Sequence, residues 1–390
     1  MNDMSLPIAD VLEAQVDAKP SCFLTENHHI YATDLEERVY LSTDDQEILS
    51  KTIRDIFLKL KQSQHADPIL IGVIPFDTTK PATLNFYRHY RKIEKTTFDD
   101  QQYISHYPCI EFHQQQRLVQ QTHFNQMIDL ALQQFASHHL QKVVLSQAID
   151  FELVKPENPF ALGMILAQKN PQAFSFVVPV EGGAHLLGAS PELLISKQGK
   201  SIRSNPLAGS RPISHDGGVN QHRVHELYHS AKDLYEHRIV VDSVLSNLRP
   251  YCTQLKFSDP PEIIKTSTML HLSTVFEGQL KSEQANALQL ALALHPTPAI
   301  CGSPTALAKD FILKNEGYDR HYYTGLVGWM DSNGNGEWVV TIRCGLLSEK
   351  RIRLYAGAGI VTGSEAELEW NETEAKMQTI LKTLNVKVAF

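Results

Sequence analysis

The stretch Gly336-Glu-Trp-Val-Val-Thr-Ile-Arg-Cys344, followed by Tyr355-Ala-Gly-Ala-Gly-Ile-Val361 and Glu369-Trp-Asn-Glu-Thr-Glu-Ala-Lys376, decides how this chain is read. In order, it predicts a strand, a second strand ending in a glycine-rich turn, and the start of a helix. Val340, Ile342 and Cys344 alternate with Glu337, Val339, Thr341 and Arg343, which is the side-chain period of a strand. Ile352, Leu354 and Ala356 alternate in the same way with Arg351, Arg353 and Tyr355. Two such runs joined by six residues predict an antiparallel hairpin. Gly357 and Gly359 are expected to take φ > 0 and to let a ligand approach the backbone closely. Glu369, Glu372 and Lys376 are spaced to share one face of a helix. A buried Arg, backbone N–H groups and paired carboxylates then meet at one end of a sheet, an arrangement that suits a small anion beside a divalent cation. Read alone, each part also has a plain reading: a simple turn for Gly-Ala-Gly, and a solvated face for the Glu/Lys run.

Working outward, the chain has 390 residues, 42% of them hydrophobic, enough for one large domain or two smaller ones. The net charge of −8 implies no general affinity for nucleic acid or a membrane surface, so an anionic ligand needs a local cluster of Arg and Lys. The five cysteines, Cys22, Cys109, Cys252, Cys301 and Cys344, are scattered, which argues against a disulfide framework or a structural zinc site. No apolar run approaches the roughly 20 residues that span a bilayer. The N-terminus shows no basic stretch followed by an apolar one, and the cytoplasm is the expected compartment.

Upstream, Ser42-Thr43 is expected to cap a helix with an apolar stripe of Ile48, Ile53, Ile56, Phe57 and Leu60. Pro68 to Pro75 reads as a buried strand, and Gln114-Gln-Gln116 as a loop. Val119 to about His139 is helical in pattern, with Phe124, Met127, Ile128, Ala131 and Phe135 on one side. It runs into a strand that starts at Lys142. Further strands are expected at Ala173–Pro179, His185–Gly188, Leu193–Ile195, around His271, and at Gly325–Trp329. Ser190-Pro-Glu192 is a turn. Glu192, between Pro191 and an apolar strand, either faces water or is buried with a raised pKa, as a general acid requires. Asn205-Pro-Leu-Ala-Gly-Ser-Arg211 reads as a second tight turn, and Asn220 to Leu248 as one long helix with a charged middle. His271 reads equally as a core histidine and as a catalytic one. Many strands and one long helix predict an α+β fold with a large antiparallel or mixed sheet.

Together these motifs resemble the chorismate-utilising enzymes. The resemblance spans about residues 119–383 and rests on Lys142-Val-Val-Leu-Ser, Ser190-Pro-Glu-Leu-Leu, Pro206-Leu-Ala-Gly-Ser, Leu294-His-Pro-Thr-Pro-Ala and Gly334-Asn-Gly-Glu-Trp-Val-Val-Thr-Ile-Arg-Cys. The siderophore-type isochorismate synthase branch is the nearest match. The resemblance implies two antiparallel sheets packed as a sandwich with helices outside. Residues 119–383 would form the chorismate-binding core, and residues 1–118 a variable N-terminal part of the same domain.

It also implies roles. Lys142 matches the general base that activates water, Glu192 the general acid, and His271 an active-site histidine. Glu236 and Glu372 match ligands of Mg²⁺, with Glu369 nearby. Arg343, Tyr323, Lys376, Ala299 and the backbone around Gly209, Ser210, Ala358 and Gly359 match substrate contacts. Water attacks C2 of chorismate while the C4 hydroxyl leaves, so Lys142 must act as a neutral amine and Glu192 as a protonated acid. Ammonia-using relatives carry Gln at the position of Lys142 or Lys at the position of Ala208. Salicylate synthases, which go on to eliminate pyruvate, tend to carry Thr at the position of Ala299. The resemblance therefore implies a Mg²⁺-dependent isochorismate synthase of the 2,3-dihydroxybenzoate and siderophore route, with salicylate synthase as the alternative. A non-catalytic paralogue would have lost the acid, base or metal residues, and none is lost. A monomer is expected, with a downstream isochorismate-consuming enzyme as the partner.

Overall fold

The structure, a computed structural model, describes residues 20–62, 67–94 and 110–385. Ile69–Ile74 shows why the core forms where it does. Ile69, Ile71 and Val73 point into one apolar cluster, while Leu70 and Ile74 point into another. A strand buried on both faces reads as an unbroken apolar run, as this one does. It sits in a nine-stranded antiparallel sheet between Leu326–Asp331 and Ala82–Tyr87. The same sheet holds Leu193–Gln198, Ser201–Asn205 and Gly336–Val340.

Facing it is a ten-stranded antiparallel sheet. Lys142–Leu153 pairs with Arg351–Val361 along its whole length, and Cys344–Ser348, His185–Ser190, Phe174–Pro179 and Ser21–Leu24 follow in order. Phe23, Ile71, Val73, Phe176, Val178, Val327, Val339 and Tyr355 fill the space between the sheets. The helices Gln46–Lys61, Ala231–Leu248 and Ala287–Leu294 cover the outer face of the nine-stranded sheet. Pro159–Lys169 and Ala366–Thr383 cover the other. The expected sandwich with helices outside is therefore present. A third, three-stranded sheet of Leu207–Pro212, Met269–Ser273 and Glu262–Lys265 was not anticipated.

Several local expectations are corrected. Glu337 to Cys344 is not one arm of a hairpin. Gly336–Val340 belongs to the nine-stranded sheet and Cys344–Ser348 to the ten-stranded one, so the chain crosses between sheets at Thr341–Arg343. Arg343 takes φ +50°, an uncommon value for a side chain of its size. The hairpin is the tighter one between Cys344–Ser348 and Arg351–Val361. Alternation could not show the crossing, because Val339 and Val340 are both buried, as is Thr341.

Gly357 and Gly359 form no turn. They lie inside Arg351–Val361, and neither is among the positive-φ glycines. Asn220 to Leu248 is two helices, Gly217–His229 and Ala231–Leu248. They break at Ser230, whose hydroxyl accepts from the Asp233 N–H and caps the second helix. Gln114-Gln-Gln116 lies in a strand, Phe112–Arg117, paired with Lys142–Leu153. Asn205 to Arg211 is two strands, with a bulge between Ala208 and Ser210 at Gly209, φ +77°. Asp45, not Ser42 or Thr43, caps Gln46–Lys61, and Ile48 faces solvent there. By contrast, Phe124, Met127, Ile128, Ala131 and Phe135 are the buried residues of Gln121–Ala136, as their spacing predicts.

Candidate active site

Lys142 opens the strand Lys142–Leu153 and is completely buried. Its Nζ lies 2.8 Å from Oε1 of Glu236, which comes from the middle of Ala231–Leu248. The contact needs room on the neighbouring strand. A Cβ at Gly359 would stand 2.1 Å from Glu236 Oε1 and 3.1 Å from Lys142 Cε. A Cβ at Gly357 would stand 2.8 Å from the Tyr323 hydroxyl. Both glycines thus permit close approach by lacking a side chain, not by unusual backbone angles.

Glu192 sits in the link between His185–Ser190 and Leu193–Gln198. It is 3% exposed, and burial pushes its carboxyl up to about 7, against the pull of the Leu207 amide, Lys142, Arg343 and Lys376. The buried reading of Glu192 therefore holds. His271 lies on Met269–Ser273, opposite Ser210 in the small sheet. Burial, reinforced by Arg343 and Lys376, holds it down to about 3, so the ring is neutral.

The third contribution comes from Ala366–Thr383. Trp370 packs edge-on against Phe124, 5.4 Å between centroids, and Arg117 lies over its ring. These contacts fix the helix rotation, and Glu369, Glu372 and Lys376 face the interior. Lys376 Nζ donates to Glu372 Oε1 at 2.6 Å and to the Gly357 carbonyl at 2.9 Å. The Ser210 hydroxyl donates to the same carboxylate at 2.8 Å. Burial raises Glu372, but Lys376, Ser210 and Lys232 outweigh it and hold the carboxyl down to about 2. Glu369 goes the other way. Burial and the charge of Glu372 raise it, although Lys232 Nζ lies 2.5 Å from Oε1.

The cavity between these groups measures about 70 Å³. Glu192, Gly209, Ser210, Glu236, His271 and Ala299 line it, together with Tyr323, Arg343, Gly359, Glu372 and Lys376. Tyr323 is held flat against Tyr355, with centroids 5.0 Å apart and planes 4° apart. Three residues of the expected set lie off the wall. Lys142 is one layer behind Glu236, and Glu369 stands beside Glu372, paired with Lys232. The Ala358 side chain faces away, into the cluster of Val143, Leu145 and Ile360. Sequence reasoning singled out Gly357, which also lines the cavity, but not Thr324 or Ile300. Each adjoins a residue that was singled out, and proximity along the chain was the available signal.

Among the proposed site residues, three buried polar atoms have no well-aligned hydrogen-bond partner: Lys142 Nζ, Glu192 Oε1 and His271 Nε2. Lys142 is close to Glu236 but poorly aligned with it. An unmade buried hydrogen bond costs about 1–3 kcal/mol, so a fold that keeps three in one place is built to be completed by something else. The acidic groups offer only oxygen, the donor set that a hard divalent cation takes. Glu369 and Glu372 also repel each other, a strain that a cation relieves. Lys142, Lys232 and Lys376 engage the three carboxylates here, and among the described residues no three acidic, His or Cys groups form a ready-made cation cage. A ligand must supply part of the coordination. Among the described residues no helix is long and apolar enough to cross a membrane.

The model of the family described as chorismate binding enzyme matches residues 61–385. The isochorismate synthase DhbC of Bacillus subtilis is 42% identical over 352 residues, covering 88% of this chain and 87% of that protein. The vibriobactin-specific isochorismate synthase of Vibrio cholerae is 36% identical, covering 97% and 94%. The crystal structure of a DhbC from Bacillus anthracis, described as a putative 2,3-dihydroxybenzoate-specific isochorismate synthase, superposes with a TM-score of 0.89 at 36% identity, covering 98% of this chain and all of that one.

Proposed function

This chain belongs to the chorismate binding enzyme family, and from that premise we propose that it is an isochorismate synthase. It is an isomerase that converts chorismate to isochorismate for 2,3-dihydroxybenzoate and siderophore synthesis. The observation that carries this reading is the incomplete hydrogen bonding of buried groups at one small cavity: Glu192 Oε1 and His271 Nε2 on its wall, and Lys142 Nζ one layer behind, held only by its ion pair with Glu236.

In this reading Glu192 is the acid. With its carboxyl raised to about 7, it holds a proton near neutrality and gives it to the C4 hydroxyl as that group leaves. Lys142 is the base that takes a proton from the water attacking C2. It works only as a neutral amine, so Glu236 must first be drawn off its 2.8 Å contact. Arg343 makes no hydrogen bond or ion pair with its side chain among the described residues, and its guanidinium grips a substrate carboxylate in bidentate fashion. Lys376, Tyr323 and the backbone at Gly209, Ser210, Ala358 and Gly359 complete the grip, with Ala299 on the wall. Neutral His271 offers a hydrogen bond without adding charge. Glu236 and Glu372, with Glu369 beside them, would hold Mg²⁺, which when bound supplies positive charge for the ring carboxylate.

Of residues 1–118, we assign 20–62, 67–94 and 110–118 to the same domain as the core at 119–383; the rest lie outside the described residues. The pairing of Ser21–Leu24 with Phe174–Pro179, and of Ile69–Ile74 with Leu326–Asp331, supports that assignment. We also place the enzyme in the cytoplasm, as a monomer that passes its product to an isochorismate-consuming enzyme.

The test is incubation with chorismate and Mg²⁺ without ammonia, followed by chromatography with mass detection. The expected product has the mass of chorismate, a different retention time, and no accompanying pyruvate. Salicylate with pyruvate would move the chain to the salicylate synthases. Unchanged chorismate, with and without ammonia, would overturn the enzymatic reading. Chelation of Mg²⁺ is expected to abolish turnover and restore it on re-addition.

A further inference from the structure

The helix Gly217–His229 carries four potential ligands on one exposed side: His222, His225, Glu226 and His229. Their spacing of three and four residues stacks them along the helix. His222 and Glu226 face each other at 3.4 Å. His225 and His229 form a second pair, with ring centroids 4.0 Å apart and planes 20° apart. Nδ1 of His229 lies 2.8 Å from the His225 carbonyl oxygen. A carbonyl can only accept, so Nδ1 carries the proton and Nε2 is left as a lone-pair donor. The His225 ring makes no hydrogen bond or ion pair among the described residues.

We propose that His225 and His229 form a binding site for a divalent transition-metal ion of the Zn²⁺, Ni²⁺ or Cu²⁺ class. Imidazole pairs select these ions over Mg²⁺, which prefers oxygen. With metal–nitrogen bonds of about 2.0–2.1 Å, a tetrahedral ion needs its two nitrogens only about 3.3 Å apart. The rings are stacked with their planes 20° apart, so both side chains must turn out of the stack for their in-plane lone pairs to converge on one ion, which their exposure allows. The pair sits in the last turn of its helix, where the unpaired carbonyls favour a cation. Water completes the coordination, since no third protein ligand is in place among the described residues.

The run His225-Glu-Leu-Tyr-His229 has the letters of a zinc peptidase helix. The pair is exposed rather than set in a cleft, and Glu226 is taken up by His222 and by Arg211, 3.8 Å away. The site therefore binds without hydrolysing. A bound ion clamps the end of a helix whose Leu227 packs on Leu270 and Leu272, on either side of His271.

The experiment is calorimetric titration of the full chain with Zn²⁺ in excess Mg²⁺, which keeps the carboxylate cluster occupied. The wild type is expected to bind one equivalent that the double variant His225→Ala, His229→Ala lacks. Each single variant should bind at least about tenfold more weakly. His222→Ala should change affinity less than threefold, and circular dichroism and basal turnover should be unchanged in all of them. Equal stoichiometry and affinity in the double variant would overturn the proposal. So would a loss in His222→Ala as large as in His225→Ala.

Discussion

Two buried charge clusters lie along the same strand, and they are built in opposite ways. At Glu316 and Arg320 every bond is made. Arg320 donates to Glu316 through Nε at 2.7 Å and Nη2 at 2.5 Å, to the carbonyls of Val144 and Ile300, and to the Thr324 hydroxyl. Glu316 also accepts from the amide and hydroxyl of Ser146, each at 2.8 Å. Two residues before Val144, Lys142 is just as buried but poorly aligned with its carboxylate, and Glu192 and His271 each keep an unpartnered atom. The first cluster ties the strand Lys142–Leu153 to the loop before Leu326–Asp331. The second leaves bonding capacity open to a cavity. Burial does not distinguish the two clusters, and the completeness of their hydrogen bonding does.

This contrast can be broken by exchanging the effects of the two clusters. Glu192→Gln and Lys142→Ala should each lower kcat by about 10²–10⁴-fold, the usual share of general acid–base catalysis, with the melting temperature equal or raised in Glu192→Gln and lowered in Lys142→Ala, which leaves a cavity and takes the partner from Glu236. Steady-state kinetics with a parallel thermal scan checks both halves, and near-normal turnover in either variant would sink the assigned role. Arg320→Ala should do the reverse. It strands a buried Glu316 and is expected to cost about 3–5 kcal/mol in denaturant unfolding, with catalysis by the remaining folded protein much less affected.

The pH dependence sharpens the comparison further. Glu192 is raised from 4.5 to about 7 in the fold, so its stabilising contribution is fully present below about pH 4.5 and is lost as pH rises through 7. Relative to Glu192→Gln, the wild type should lose roughly 3 kcal/mol of stability across that window. In the same reading the falling limb of kcat/KM lies near pH 7. A wild-type stability curve parallel to that of the variant would refute the raised carboxyl. The smallest expected effect is on stability at Gly359→Ala, about 1–3 kcal/mol of overpacking. Its Cβ would meet Glu236 Oε1 at 2.1 Å, so turnover should fall well before the fold does.

Much of the site was legible because its residues sit in distinctive local settings. A Glu between Pro191 and an apolar strand was readable as a candidate acid, and the spacing of Glu369, Glu372 and Lys376 gave the helix face. Other parts were not legible. Gly357 and Gly359 looked like a turn, since a glycine that clears space for Glu236 has the same letter as one that bends the chain. Lys232 lies in the charged middle of the expected long helix, and only the docking of two helices brings it to Glu369.

The proposed acid, base and carboxylates rest on the family resemblance; what the sequence by itself determined is the amphipathic helix Gln121–Ala136 and the doubly buried strand Ile69–Ile74. Those follow from local periodicity and residue chemistry, which need no knowledge of neighbours. Only the tertiary structure decided that the chain changes sheets at Arg343, that three lysines are shared among three carboxylates, and that Glu192 is raised while Glu372 is lowered. These depend on distances and desolvation between residues far apart in the chain, and electrostatic energy in a buried site is set by those distances rather than by order along the sequence.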